Sequence, residues 1–153
     1  MVRNVGHAAS SMGRLSISAY FSFVLKGRIL EIAPGHGRWT QFLQDHCTSL
    51  IGVDFAATCV SECRGRFKSD PRLHFEVGDG RKLPMVTDAS IDFAFSFDSL
   101  VHAEADILES YASELARVLK PNAIAFLHHS KPRDFDRTFN LGKAETSLVR
   151  CSN

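Results

Sequence analysis

The sequence has no long apolar segment and no excess of charge of either sign. None of its apolar runs approaches the roughly 18–20 residues that a membrane-spanning helix needs, so we expect no membrane association. Its 18 Lys and Arg residues nearly balance its 17 Asp and Glu residues, which gives a net charge of +1. Since nucleic acid binding usually requires a clustered basic face, this composition predicts no nucleic acid partner.

The four cysteines (Cys47, Cys59, Cys63 and Cys151) lack the tight C-x-x-C spacing of zinc sites. Free cysteines usually behave as small buried apolar residues, and disulfides are rare in reducing compartments. The N-terminus also lacks the continuous apolar segment of a secretory signal. We therefore expect no metal site and a cytoplasmic protein.

Strand-like and helix-like segments alternate through residues 27–130. Buried or alternating apolar runs predict five strands, at 28–33, 49–54, 73–77, 91–97 and 123–128. Apolar residues recur at helical spacing between them, most clearly over residues 105–119. This alternation predicts right-handed βαβ units and an α/β fold with a mainly parallel sheet. Residues 1–26 are expected to be an extension that could form a short helix, and residues 131–153 an irregular tail.

Glycines and carboxylates follow the predicted strands at the points where each strand ends. Gly35 and Gly37 follow the first strand and would let the backbone bend sharply and approach a ligand. Asp54 ends the second strand, and Asp79 follows the third between two glycines. Open parallel sheets bind ligands beyond the carboxyl ends of their strands, where an acidic residue can accept hydrogen bonds from ribose hydroxyls. We therefore predict a nucleoside-binding site at this edge.

These segments resemble the motifs of class I S-adenosylmethionine-dependent methyltransferases. The run E-I-A-P-G-H-G at 31–37 is similar to the acidic-x-Gly-x-Gly-x-Gly motif of that family, with Ala33 in place of the first glycine. The other similar segments are V-D at 53–54, G-D-G-R-K-L-P at 78–84, I-D-F-A-F at 91–95 and L-A-R-V-L-K-P at 115–121. All five occur in the family's order, and together they span about residues 27–130.

The resemblance implies a doubly wound, Rossmann-like sheet in the order 3-2-1-4-5, with S-adenosylmethionine as cofactor and S-adenosylhomocysteine as product. It implies that Glu31 and the backbone of the glycine bend face the methionine portion, and that Asp54 holds the ribose. The other cofactor contacts that it implies are Ala33, Gly35, Gly37 and Phe55 near the bend, Asp79, Gly80 and Arg81 around adenine, and Ser96 and Phe97 near the methyl group.

Three residues are candidates for the catalytic base: His102, Asp98 and His128. Methyl transfer from a sulfonium is a displacement that depends mainly on positioning the acceptor, and a base helps when that acceptor is a hydroxyl. We therefore predict O-methylation of a small-molecule or saccharide-like acceptor. Each histidine is also compatible with a structural role.

Two alternatives stay open at this point. A nicotinamide-dependent enzyme would need a third glycine where Thr40 stands. A truncated or non-catalytic cofactor-binding module is the other alternative, because about 23 residues after Ser130 are too few for the helix and two strands that the family usually adds. The family's C-terminal strands would then be missing or atypical, and the fifth strand would be an exposed edge through which a homodimer could form.

Overall fold

The computed structural model describes residues 27–100, 104–128 and 147–151. Within them, the strands are β1 (Gly27–Ile32), β2 (Cys47–Asp54), β3 (Leu73–Val77), β4 (Ile91–Ser96), β5 (Leu119–His128) and β6 (Ser147–Cys151). The helices are α1 (Thr40–Leu43), α2 (Ala57–Arg66) and α3 (Ala105–Val118), with a 3₁₀ turn at Gln44–His46 after α1.

All six strands belong to one parallel sheet in the order β3-β2-β1-β4-β5-β6. The predicted α/β class and the predicted order 3-2-1-4-5 of the first five strands are confirmed. The chain runs outward from β1 through β2 to β3 and then returns to β4 on the other side of β1. The strand order therefore reverses between β1 and β4, which is where open α/β sheets bind their ligands.

The sheet is covered on both faces, as its nearly continuous apolar strands require. Ile29 and Leu30 are consecutive and fully buried, yet they belong to two different core clusters because side chains alternate across a strand. The Leu30 cluster includes the apolar stripe of α3, in which Leu115 is fully buried. The Ile29 cluster includes Val60 of α2 and the aromatic residues of β3 and β4. The fold is therefore a doubly wound, three-layer α/β domain.

β5 begins at Leu119, four residues before the predicted start. α3 ends at Val118, just before the Lys120-Pro-Asn segment that the sequence predicts as its stop. That segment lies within β5 and not in a turn before it. The pairing register between β4 and β5 shifts there, and Asn122 has a φ of 65°. Asn tolerates this left-handed conformation better than most residues, so the irregularity is absorbed locally.

The structure differs from the expectation of an irregular C-terminal tail at residues 147–151, which form β6. Five residues of β6 pair in parallel with β5, from Ile124 with Ser147 to His128 with Cys151. The short segment has no alternating pattern of its own, and the unpaired edge of β5 provides the hydrogen-bonding partner that makes it a strand. β5 is thus an interior strand, which removes the exposed edge on which the homodimer expectation relied.

Three expectations lie outside the described residues: the N-terminal helix within 1–26, the role of His102, and the structure of 131–146. Among the helices that are described, none has both the length and the apolar composition needed to cross a bilayer.

Candidate site at the carboxyl edge of the sheet

The carboxyl ends of β1 to β4 meet at one edge of the sheet. Glu31 of β1 is aligned with Gly52 of β2 and with Phe95 of β4, and Asp54 at the end of β2 is aligned with Val77 of β3. The Asp54 carbonyl also accepts a hydrogen bond from the Gly78 amide at 2.9 Å. The acidic residues of β1 and β2 and the Gly-Asp-Gly segment after β3 are therefore brought together.

The bend after β1 is built from left-handed backbone. Ala33, Gly35 and Gly37 have φ values of 54°, 56° and 77°. A Cβ at Gly37 would overlap the ring of Phe67, so glycine is required there for both space and conformation. A Cβ at Gly35 would have no atom within 4 Å apart from its chain neighbours, so the backbone there borders open space.

Ala33 adopts a conformation that favours glycine, which is the residue at this position in the similar family motif. Its amide donates to the Val53 carbonyl at 2.8 Å, which keeps the bend aligned with β2. The Ser99 hydroxyl, beyond the end of β4, lies 3.1 Å from the Ala33 carbonyl and 3.1 Å from the Phe97 carbonyl. Hydrogen bonds on both sides thus hold Ala33 in place.

Asp54 connects this bend to the start of α2. Its Oδ2 accepts a hydrogen bond from the Gly35 amide at 3.0 Å, and its Oδ1 accepts one from the Ala56 amide at 2.9 Å. The side chain is buried. Each carboxylate oxygen still has lone-pair capacity for a second donor. The sequence predicts a ligand-facing Asp54 but does not reveal these two backbone bonds.

Glu31 is a buried carboxyl group whose protonation is unusual. It is 2% exposed, and its Oε2 accepts a hydrogen bond from the Thr40 hydroxyl at 2.6 Å. Burial raises its pKa to about 7, and the hydrogen bond from Thr40 partly opposes that rise. Thr40 is itself fully buried. From the sequence, Thr40 stands only where a nicotinamide-binding motif would have its third glycine. The structure adds its role as the hydrogen-bond donor to Glu31.

Asp79 shapes the turn after β3. Its Oδ1 accepts hydrogen bonds from the amides of Lys82 and Arg81, at 2.7 Å and 2.8 Å, and these bonds lower its pKa. The Arg81 guanidinium pairs with Asp106 of α3 at 2.7 Å, so its charge is directed toward α3. Gly80, between Asp79 and Arg81, has a φ of 76°. Asp79 therefore has the turn role that its glycine neighbours suggest, and it is exposed.

Two large apolar side chains remain exposed in the described chain, and both lie at this edge. Phe55 is 73% exposed and Val77 is 48% exposed. The Phe55 Cβ lies near Gly80, since a Cβ added to Gly80 would be 3.8 Å from the Phe55 Cβ. Tyr111 of α3 also belongs to this region, because the charges of Asp79 and Asp54 add to burial in raising its pKa to about 12. Sequence reasoning places Tyr111 only in the apolar stripe of its helix.

The end of β4 carries the residues predicted to border the transferred methyl group. Ser96 is fully buried, and its Oγ is the one buried side-chain polar atom without a partner among the described residues. Phe97 stacks on His128, with 4.6 Å between ring centroids. Asp98 is exposed and has a φ of 64°. Its amide donates to His128 Nδ1 at 3.2 Å.

Trp39 packs into the aromatic cluster and leaves the bend open. Its ring centroid is 5.7 Å from that of Phe95 and 4.9 Å from that of Phe97. This agrees with a core role for Trp39.

A separate cavity of about 450 Å³ lies on the sheet face instead of the carboxyl edge, and it is lined by Arg28, Ser49, Leu50, Ile51, His74, Glu76 and Met85. We do not assign it to the site, since it lacks the bend and both strand-end carboxylates.

Comparison with known families identifies the domain. Residues 29–122 match the family model described as a methyltransferase domain. The chain belongs to this family. The chain is also similar in sequence to a probable S-adenosylmethionine-dependent methyltransferase. Family membership therefore implies S-adenosylmethionine as the cofactor, and the predicted relationship to class I methyltransferases is confirmed.

Individual relatives agree with this assignment. The chain is 29% identical over 96 residues to a probable S-adenosylmethionine-dependent methyltransferase of Mycolicibacterium smegmatis, covering 63% of this chain and 35% of the relative. It is 34% identical to the PH0226 protein of Pyrococcus horikoshii, with a TM-score of 0.58, covering 64% of this chain and 46% of that one. An S-adenosylmethionine-dependent methyltransferase of Mesorhizobium loti shares the fold at 20% identity and a TM-score of 0.58, covering 70% of this chain and 49% of that one. The chain thus spans less than half the length of each.

Proposed function

We propose that this chain transfers a methyl group from S-adenosylmethionine, with the cofactor bound at the carboxyl edge of β1 to β4. The observation that carries this proposal is the open bend at Gly35, whose amide is held by the buried Asp54 carboxylate. A bend of this kind brings backbone close to a ligand without a Cβ in the way. The exposed Phe55 beside Gly80 supports an adenine position, because aromatic side chains stack on planar bases.

The side chains present fit the cofactor in charge and polarity. Glu31, close to the bend, would face the positively charged methionine amino group, and Asp54 would accept from the ribose hydroxyls with its remaining lone pairs. The turn at Asp79, Gly80 and Arg81 would border adenine. Other proposed contacts are the backbone at Ala33, Gly35 and Gly37 and the segment Ser96–Phe97. The bound cofactor supplies an electrophilic methyl group on a sulfonium.

The acceptor is proposed to be a small molecule or saccharide bearing a hydroxyl, methylated on oxygen. Asp98 supports this choice, since its exposed carboxylate follows β4, where the methyl end of the cofactor would lie. A carboxylate there can take the proton of an acceptor hydroxyl as the new bond to carbon forms. His102 remains a second candidate base. We also propose a cytoplasmic location, from the composition and the free cysteines.

Binding and turnover need separate tests. Calorimetric titration of the full chain should give saturable binding of S-adenosylhomocysteine and no binding of NAD. Transfer of radiolabelled methyl from S-adenosylmethionine is then measured on a panel of small hydroxyl compounds and saccharides. Binding with transfer supports the proposal. Binding without transfer to any panel member favours the alternative of a module that needs a partner chain, and failure to bind S-adenosylhomocysteine contradicts both.

A further inference from the structure

Asp98 and His128 form a contact that the predicted catalytic roles do not explain. Asp98 has a φ of 64°, in the left-handed region that residues other than glycine seldom adopt. Such a conformation persists only when the surrounding structure holds it. Three contacts to His128 lie at this point: its Nδ1 accepts the Asp98 amide at 3.2 Å, the same Nδ1 lies 3.8 Å from the Asp98 carboxylate oxygen Oδ1, and its ring stacks on Phe97 with an interplanar angle of 15°.

The hydrogen bond fixes where the proton of the imidazole sits. An Nδ1 that accepts a hydrogen bond from a backbone amide carries no hydrogen, so the neutral ring carries its hydrogen on Nε2. Nε2 then has no lone pair with which to take up a proton. Nδ1 could take one only if its bond to the Asp98 amide were lost. The ring is therefore unable to act as a base while it holds Asp98.

We infer that His128 is a positioning residue that holds the Asp98 backbone in its left-handed conformation, and that it does not abstract the acceptor's proton. His128 is suited to this role because it is 8% exposed and lies at the end of the interior strand β5. The Asp98 side chain, by contrast, is 60% exposed and can meet an acceptor. The consequence for methyl transfer rests on the proposed function, whereas the hydrogen bond and the tautomer do not.

Two substitutions of His128 distinguish the roles of its two ring nitrogens. In His128→Asn the side-chain oxygen can occupy the place of Nδ1, whereas in His128→Gln the amide reaches the place of Nε2. If His128 positions Asp98, His128→Asn keeps the bond to the Asp98 amide, and His128→Gln loses it together with His128→Ala. If Nε2 has the important role, His128→Gln is the variant that resembles the wild type.

Nuclear magnetic resonance of the whole 153-residue chain measures both points without an identified acceptor. Long-range proton–nitrogen correlations should show His128 as the Nε2–H tautomer. Hydrogen exchange of the Asp98 amide should become about fivefold faster or more in His128→Ala and His128→Gln, the scale of one lost hydrogen bond, and stay within about twofold in His128→Asn. An Nδ1–H tautomer, or an Asp98 amide that is insensitive to His128→Ala, overturns the inference.

The same samples distinguish this inference from the proposed function. S-adenosylhomocysteine is added to the wild-type protein, and its binding is followed on the amides of the bend at Gly35 and Gly37. If the expected tautomer and exchange pattern occur without any binding, the proposed function fails while the positioning role of His128 stands. If binding occurs and the tautomer is Nδ1–H, the positioning role fails alone.

Discussion

The Asp54 carboxylate accepts the Gly35 amide at 3.0 Å, across 19 positions of the chain. The acidic end of β2 and the glycine bend after β1 are therefore one structural unit. The second oxygen of Asp54 extends this unit to Ala56, immediately before α2. A change at Asp54 must then affect the shape of the bend as well as any ligand bound against it.

Asp54→Ala should lower both stability and cofactor affinity. It leaves the Gly35 and Ala56 amides without their acceptor, and each such loss costs about 1–3 kcal/mol when the donor is shielded from water. We expect the free energy of unfolding to fall by about 2 kcal/mol or more and S-adenosylhomocysteine affinity to fall by about 1–3 kcal/mol. Denaturant unfolding and calorimetry measure the two. Asp45→Asn, on the exposed 3₁₀ turn, is the matched control and should change neither.

Glu31 should make stability fall as pH rises. Its folded pKa of about 7 lies above the ordinary glutamate value of 4.5, so between these values the folded state binds more protons than the unfolded state. The free energy of unfolding therefore decreases from about pH 4.5 to pH 7, by up to about 3 kcal/mol, and levels off above that range. Glu31→Gln keeps an acceptor for Thr40 without the charge, so it should remove this decrease.

Thermal unfolding at pH 5 and pH 8 measures the Glu31 effect. The difference in melting temperature between wild type and Glu31→Gln should be larger at pH 8, with the variant the more stable protein there. Glu109→Gln, on the exposed side of α3, is the control and should follow the wild type at both values. A wild-type pH dependence that persists in Glu31→Gln would contradict the assignment to this carboxyl.

Alanine substitutions in the bend should separate stability from binding. Gly37→Ala combines a left-handed φ with overlap of the Phe67 ring, so it should destabilise the fold by about 2 kcal/mol or more. Gly35→Ala should cost about 1 kcal/mol of stability, because only its conformation is strained, but its methyl group would enter the space proposed for the cofactor. We expect its loss of S-adenosylhomocysteine affinity to exceed its loss of stability.

Gly65 provides the control for both bend variants. It lies within α2 and has no atom within 4 Å of an added Cβ. Gly65→Ala should therefore stabilise the protein by about 0.5–1 kcal/mol. Equal loss of affinity in Gly35→Ala and Gly65→Ala would argue against a ligand beside Gly35.

Phe55→Ala should weaken binding with little effect on folding. The side chain is 73% exposed, and exposed substitutions usually change stability by less than about 0.5 kcal/mol. Removing an aromatic ring that stacks on adenine should lower affinity by about 0.5–1.5 kcal/mol. Phe55→Tyr retains the ring and is the matched control. Calorimetry with S-adenosylhomocysteine decides, and unchanged affinity in Phe55→Ala would remove this residue from the adenine position.

The sequence predicts the inner part of the fold well because its signals there are local. β1 and α3 begin within one residue of their predicted starts, since apolar periodicity reports directly on burial. β6 cannot be predicted from the sequence, because its strand structure depends on the edge of β5 and not on its own pattern. The predicted start of β5 is too late for a related reason, since Pro121 and Asn122 are typical of a turn although the strand continues through them.

The site could be predicted only in part from the sequence. The acidic and glycine positions follow from strand ends and from the family resemblance, which place Glu31 and Asp54 at the same edge. Their partners could not be predicted, because Thr40 and the Gly35 amide reach them through the geometry of the bend. The left-handed conformation of Asp98 likewise depends on a contact with the distant His128.

The Ser99 hydroxyl has one hydrogen and two carbonyl oxygens at the same distance of 3.1 Å, one on Ala33 and one on Phe97. A single hydrogen that is shared between two oxygens binds each of them more weakly than it would bind one oxygen alone. A shift of either loop therefore strengthens the bond to one and weakens the bond to the other. The loop after β1 and the loop after β4 are consequently coupled through one hydroxyl, so a ligand that moves the first also changes the balance in the second.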